Sequence, residues 1–374
     1  MSEKRKINKK IKIILIVLPM LLTAIALGGF GIVKGYLNQI GRVEDSVTDT
    51  IPPEDEFFDV DEEPVPPAFD DKQGNPLPSD DLKGEAVQPG QAEGAADTPS
   101  QDGNVTIDPG AVKWNVVEPV DDDHLINILL VGQDKDITMT GRKRSDTMIL
   151  CSINSETGAV SLISFLRDLY VQIPGGYSNN RLNVPYVFGG FDLLDRTLTA
   201  NFGVSVDANF EVDLNGFQKL IDVLGGIEIQ LTAAEAEYLK ATWDITATEG
   251  INQFDGRQTM WYSRIRKLDS DFGRSGRQRK VLLAVYQKIK DLPMNELLPL
   301  MYDILPYLTT DMTDAEILSL AYRFLPLLPS MKIETHTVPA RGTYQNASIR
   351  GMAVLLPDRA LIREKLIGEY LPLG

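Results

Sequence analysis

The strongest constraint on this 374-residue chain lies near its start, where residues 13–33, IILIVLPMLLTAIALGGFGIV, run for 21 positions without a charge. As a helix that run is about 31 Å long, enough to cross the hydrocarbon core of a bilayer. Pro19 is tolerable there, because spanning helices re-satisfy the backbone groups that proline frees. The twelve residues before it, MSEKRKINKKIK, form a basic stub that should stay cytoplasmic and send everything after residue 34 outside. Ala24-Ile25-Ala26 resembles a signal-peptidase site. The apolar run nevertheless continues through Val33 before Lys34 ends it, so an uncleaved anchor is expected.

Residues 34–123 read as an extracytoplasmic, acidic, Pro-rich linker. Within them, residues 44–123 hold 23 Asp and Glu against three Lys, and eleven of the 22 prolines. Low hydrophobicity and high net charge leave too little apolar area to repay ordering. A solvated tether reaching on the order of 50 Å is the expectation. Most of the formal charge of −16 belongs to it, since residues 124–374 balance 26 basic side chains against 29 acidic ones. Nucleic-acid binding, which calls for a basic face, is thereby disfavoured. The single cysteine, Cys151, sits in an apolar run and reads as a small buried hydrophobe. Two histidines and one cysteine cannot supply the usual zinc ligand count.

From Leu125 the texture becomes that of a folded domain, residues 124–374. LINILLV (125–131) is continuous apolar sequence, as in a strand covered on both faces. Strands are predicted at 147–154, 159–165, 209–214, 227–231 and 331–338, and a strand followed by a helix over 352–370. Helices are predicted at 189–203, at 215–226 with Asn215 as N-cap, and from about Gly273 to Lys290. Thr313 and Glu316 form a capping box ahead of ILSLAYRFL. Strands alternating with helices predict an α/β layered domain, a central mixed β-sheet flanked by helices.

Charged residues recur at the predicted strand ends, where open α/β sheets place ligand-binding groups. Asp134, Arg144 and Asp146 lie between the first two strands, and Arg167 and Asp168 follow the third. WYSRIRKLDSDFGRSGRQRK (261–280) then concentrates arginine. An extended chain after the YSR segment would bring Arg264 and Arg266 to one side of the backbone. Arg274, Arg277 and Gln278, at i, i+3 and i+4, would share one face at the start of a helix. Arginine forks match phosphate oxygens bidentately, and aspartates can hold Mg²⁺ (or Mn²⁺) against them. The residue types thus point to a pyrophosphate site with a divalent ion.

The order NILLVGQD, RSDTM, SLISFLRD, RLNVPYVFGG, DLNGFQKLIDVLGGIEI, YSRIRK and DFGRSGRQR resembles the LytR-CpsA-Psr family of cell-wall glycopolymer transferases. The resemblance implies transfer of a glycopolymer, with one phosphate, from a polyprenyl pyrophosphate carrier to a peptidoglycan hydroxyl. It implies metal binding by Asp134 and Asp146, and pyrophosphate binding by Arg144, Arg167, Arg181, Arg264, Arg266, Arg274, Arg277 and Gln278. Asn183 and Tyr186 match a further motif, with Arg181 where lysine is usual. Asp168 or Asp134 is the expected base. Arg167, Asp168, Arg264, Arg266 and Arg277 make up the expected catalytic set. Leu166 stands where the family commonly has proline. Apolar helices such as 191–202 and 214–224 are candidates to line a lipid tunnel, although core packing is the better reading of each residue. A non-catalytic lipid-pyrophosphate scaffold is the competing function. The family resemblance also implies a single-pass cell-membrane protein of a Gram-positive-type wall.

Overall fold

The computed structural model describes residues 34–35, 37–43, 105–115, 117–133 and 142–373. Two short strands, β1 (Gly41–Arg42) and β2 (Val105–Thr106), precede the main run of β3 (Leu125–Gln133), β4 (Ser145–Asn154) and β5 (Ala159–Phe165). The small pair β6 (Tyr170–Val171) and β7 (Asn180–Arg181) leads into α1 (Pro185–Phe202), β8 (Ala208–Asp213), α2 (Leu214–Val223) and β9 (Ile227–Leu231). Next come α3 (Ala233–Trp243), β10 (Gly250–Phe254), α4 (Gly256–Ser263), α5 (Asp271–Ile289) and α6 (Met294–Ile304). The chain closes with β11 (Thr309–Thr310), α7 (Asp314–Phe324), β12 (Lys332–Val338), β13 (Tyr344–Ile349), β14 (Met352–Pro357) and α8 (Arg359–Lys365).

Seven strands form the mixed central sheet in the order β1-β11-β8-β3-β4-β5-β12. β3 occupies its middle, antiparallel to β4 and parallel to β8. Alternate residues of this apolar run face opposite layers, as the period of two requires. Leu129 and Val131 join Leu150, Ile163, Phe191, Leu194, Leu198 and Phe202 under α1. Ile126 and Ile128 join Ile153, Val160 and Met312 under Ile317 and Leu320 of α7. Burial on both faces is the reason the strand carries no polar alternation. Phe191, Leu194, Leu198 and Phe202 are fully buried in the core. Each such side chain contributes roughly 1.5–3 kcal/mol by leaving water.

Two expectations are corrected here. The helix expected from Asn215 begins at Leu214, and Asp213 caps it by accepting from the Gly216 amide at 2.7 Å. The tether expected over 34–123 is seated at both ends. β1 pairs with β11, and Leu37 and Ile40 are buried beside it. β2 pairs with β13, and Trp114 packs against Tyr170 at 6.0 Å. The folded region therefore includes 105–123, because Val112, Trp114 and Val120 find apolar partners that their acidic surroundings hide. The capping box of Thr313 and Glu316 forms as expected. Among the described residues no helix is long and apolar enough to cross a membrane, and the expected span 13–33 lies outside them.

Candidate active site

Antiparallel pairing brings separate loops to one edge of the sheet. β4 begins where β3 ends, with Ser145 opposite Gln133, and β5 ends beside the start of β4. Asp146 and Arg167 therefore meet although 21 residues separate them. Gln133 accepts from the Lys143 amide at 2.7 Å, tying together the two ends of the loop that contains Asp134. Asp134 itself lies outside the described residues. The RLN segment threads between these ends. Ser145 donates its amide to the Asn183 carbonyl at 3.4 Å, and Asn183 donates to the Arg167 carbonyl at 3.3 Å. Tyr186, fully buried at the start of α1, donates its hydroxyl to Glu211 of β8.

Asp146 is the centre of the charge cluster. Its Oδ1 accepts from Arg167 at 3.1 Å, its Oδ2 from Arg266 at 3.0 Å, and its carbonyl from Arg274 at 3.4 Å. Burial pushes the Asp146 carboxyl up, yet Arg167, Arg274 and Arg266 together outweigh it and hold the group below the usual aspartate range. Around this centre the pairs are looser. Arg167 lies 3.7 Å from Asp168 and 3.9 Å from Asp271, and Arg181 lies 3.7 Å from Asp168. Arg274 pairs with Asp271 at 2.7 Å in the first turn of α5, where a negative side chain suits the positive helix end. Burial and the nearby Asp271 carboxylate push Asp168 above its ordinary value, despite Arg167 and Arg181. Asp271 Oδ2, Arg274 Nε and Asn183 Oδ1 are buried with no hydrogen-bond partner. Such orphaned atoms in a native site point to a group that completes them.

Four guanidiniums thus surround three carboxylates: Arg167, Arg181, Arg266 and Arg274 with Asp146, Asp168 and Asp271. Carboxylate oxygens are the hard donors that Mg²⁺ prefers. Both oxygens of Asp146 already accept from arginine, so an ion there would share this residue with Arg167 and Arg266. No group of three His, Cys, Asp or Glu that could hold a metal occurs among the described residues.

Arg277 and Arg264 have other partners. Arg277 is buried and turned inward: its fork grips Asp269 at 2.5 and 2.8 Å, donates to the Ile265 carbonyl at 2.8 Å, and lies 3.6 Å from Glu235 of α3. Asp269 reaches so close to α5 that a Cβ on Gly273 would fall 2.0 Å from its Oδ2. Arg264 does not continue in extended geometry. It caps α4 at φ −103°, ψ 3°, with its guanidinium 5.7 Å from the Trp261 ring centre and 4.0 Å from the Met260 sulfur. One residue in a turn conformation is enough to send Arg264 and Arg266 different ways. Arg144 is half-buried immediately before β4, and Gln278 is half-buried on α5. Asp271 and the buried Arg279, which donates to Ser164 of β5 at 2.7 Å, were not anticipated. The acidic residue opening a helix within an arginine run was the available signal for Asp271.

The LytR_cpsA_psr family model matches residues 90–361. The chain is 28% identical over 234 residues to the Regulatory protein MsrR of Staphylococcus aureus, an overlap of 62% of this chain and 69% of that one. It is 34% identical over 171 residues to the Enterococcus faecalis polyisoprenyl-teichoic acid–peptidoglycan teichoic acid transferase TagU, covering 44% of this chain and 54% of TagU. Among solved structures, Bacillus subtilis YwtF (TagT) with bound octaprenyl pyrophosphate lipid superposes with a TM-score of 0.51 at 20% identity, over 71% of this chain and 99% of that one. A likeness at that identity shows a shared fold. With the family model spanning most of the chain, this protein belongs to the LytR-CpsA-Psr family.

Proposed function

We propose that this protein is a membrane-anchored extracytoplasmic phosphotransferase. It moves a glycopolymer from a polyprenyl pyrophosphate carrier onto a peptidoglycan hydroxyl and releases polyprenyl monophosphate. The observation that carries this reading is the convergence of Arg167, Arg181, Arg266 and Arg274, from four separate segments, on one buried edge of the sheet. Contacts of 3.7–3.9 Å to Asp168 and Asp271 are long for charge-assisted bonds, so phosphate oxygens can replace them at shorter range. The name of TagU, and the octaprenyl pyrophosphate held by TagT, support the same substrate class.

The acceptor hydroxyl attacks the phosphorus nearer the glycan. A P–O bond forms as the bond to the bridging oxygen breaks, and polyprenyl phosphate leaves with the electron pair. Arg167, Arg266 and Arg274 offset the charge that develops on it. Asp168 takes the hydroxyl proton, and its raised pKa makes it a better base than an ordinary carboxylate. Mg²⁺ or Mn²⁺, when bound by Asp146 with Asp134, would supply further neutralisation of phosphate charge. The basic stub and apolar run 13–33 support an anchor that would put the reaction at the outer face of the cell membrane, and membership of the family supports a Gram-positive-type wall.

The test is product formation by the full chain in detergent, given a polyprenyl-pyrophosphate-linked glycan, peptidoglycan and a divalent ion. Polyprenyl monophosphate and wall-linked glycan are expected, with turnover falling on chelation. Tight lipid binding with neither product would leave a non-catalytic scaffold instead.

A further inference from the structure

A second concave site lies outside the arginine cluster. The segment leading from β2, the β13–β14 hairpin and α8 enclose an open cleft of about 810 Å³. Its walls include Lys113, Tyr344, Arg359 and Arg363, with Val117 and Leu356 as apolar elements. Among the described residues none of the three cations forms an ion pair with a carboxylate. Arg359 donates to the Asn115 carbonyl at 2.9 Å and rests 4.9 Å over the Trp114 ring. Its Nη1 is buried without a hydrogen bond. Arg363 Nη1 is likewise buried and unpartnered, against Gly203, where a Cβ would fall 2.1 Å from it. Of the two acidic residues in the lining, Asp358 is engaged in capping α8, accepting from the Leu361 amide at 3.1 Å.

Three cations against the two carboxylates of Glu118 and Asp358 leave the lining net positive, an excess that an anion offsets. Burial pushes the Arg359 guanidinium below its usual range. Arg359 and Arg363 stand one helical turn apart on α8, so neighbouring forks can engage successive anionic groups of one chain. Tyr344 offers a ring to polyol or sugar units and stacks on Phe272 at 5.7 Å. Phe272 follows Asp271 in α5, and the Leu355 amide of β14 donates to the Asp168 carbonyl at 2.9 Å. The cleft is thus physically joined to the catalytic edge.

We infer that this cleft binds an anionic polyol or saccharide chain through Lys113, Arg359 and Arg363, gripping it away from the reacting phosphate. The shared chemistry is repeated anionic oxygens on a flexible hydroxylated backbone, borne as phosphodiesters or as carboxylates. Assigning that chain to the polymer being transferred rests on the function proposed above. A grip of this kind holds the long donor in register, so its binding energy is available to a reaction centred elsewhere.

The experiment titrates the full chain in detergent with a short poly(glycerol phosphate), a polygalacturonate oligomer, inorganic phosphate alone and a neutral chitin oligomer. Saturable binding of one anionic oligomer is expected, weakened by salt, with phosphate alone weaker and the neutral oligomer weaker still. The better of the two anionic arms identifies the charge type. Arg363→Gln should weaken oligomer binding about tenfold with Tm retained, and Lys113→Gln should act in the same direction if packing around Gly203 is disturbed in the first variant. Arg266→Ala should leave oligomer binding within about twofold. Equal binding of neutral and anionic oligomers, or unchanged affinity in both cleft variants, overturns the inference. Oligomer binding without any transfer product leaves the cleft standing while the proposed reaction falls; transfer without oligomer binding does the reverse.

Discussion

The arginine cluster around Asp146 and the buried Arg277 lie within one helix turn of each other and are held differently. Around Asp146, four guanidiniums share three carboxylates, several pairs are 3.7–3.9 Å long, and polar atoms of Asp271 and Arg274 stay unpartnered. Around Arg277, both Nη groups are engaged, by Asp269 and the Ile265 carbonyl with Glu235 3.6 Å away, and only Nε lacks a hydrogen bond. Burial pushes the Arg277 pKa down, yet Asp269 and Glu235 more than reverse it. In the Asp146 cluster, Asp271 and Arg274 each keep a buried polar atom open to a ligand. Arg277 bolts the 264–270 loop to α5 and α3, and so sets where Arg266 points. Arginine supplies the cation in both; the tight two-toothed grip of Asp269, at 2.5 and 2.8 Å, against the 3.7–3.9 Å pairs to Asp168 and Asp271, separates a positioning arginine from a binding one.

The largest expected effect tests the Asp146 cluster. Arg266→Ala should lower turnover by about 100-fold or more, the scale of one lost transition-state donor. Its thermal stability should hardly change, because Arg167 still pairs with Asp146. Near-normal turnover would erase the distinction between that cluster and Arg277. Arg277→Ala should instead unfold at lower denaturant, losing about 3 kcal/mol by leaving Asp269 and the buried Glu235 without their cation. Full stability with abolished turnover in that variant would move Arg277 to the ligand side.

The smallest expected shift concerns Asp168 and has the other sign. Its folded pKa lies above the ordinary value, so ionised Asp168 opposes folding at neutral pH, and the opposition fades as pH falls toward the ordinary carboxylate range. Asp168→Asn should therefore raise Tm at pH 7 by on the order of 2 °C, with the gain shrinking in acid. Asp146, held below its ordinary value, contributes stability that is lost only as pH falls through that lowered pKa. An acid-side loss of the gain with Asp168→Asn, while the Asp146 pairs persist, would sharpen the comparison.

Much of this was legible in the chain. The apolar run from Leu125, the short strands and the Thr313 box rest on local rules of periodicity and capping, and they appear within a residue or two. Arg167, Arg266 and Asp146 were legible as strand-end and loop charges of matching type. What local rules could not supply was direction. Arg264 and Arg266 diverge because a single capping residue turns, and Arg277 faces inward because Asp269 folds back over Gly273. Nor could composition reveal that Trp114 and Val120, diluted among acids and prolines, dock beside Tyr170 and Gly203, well beyond them in the chain.

The pairing of β1 with β11 has a mechanical consequence. If 13–33 spans the bilayer as proposed, the stretch from Lys34 to Gly41, helical at its start and with Leu37 and Ile40 buried against the domain, would seat the sheet edge close to the lipid. Working height above the lipid would then be set by that short connection rather than by the acidic stretch, which returns to the same body at Val105. An enzyme so moored would meet its carrier lipid at the headgroup plane, and shortening the acidic stretch would leave its reach unaltered.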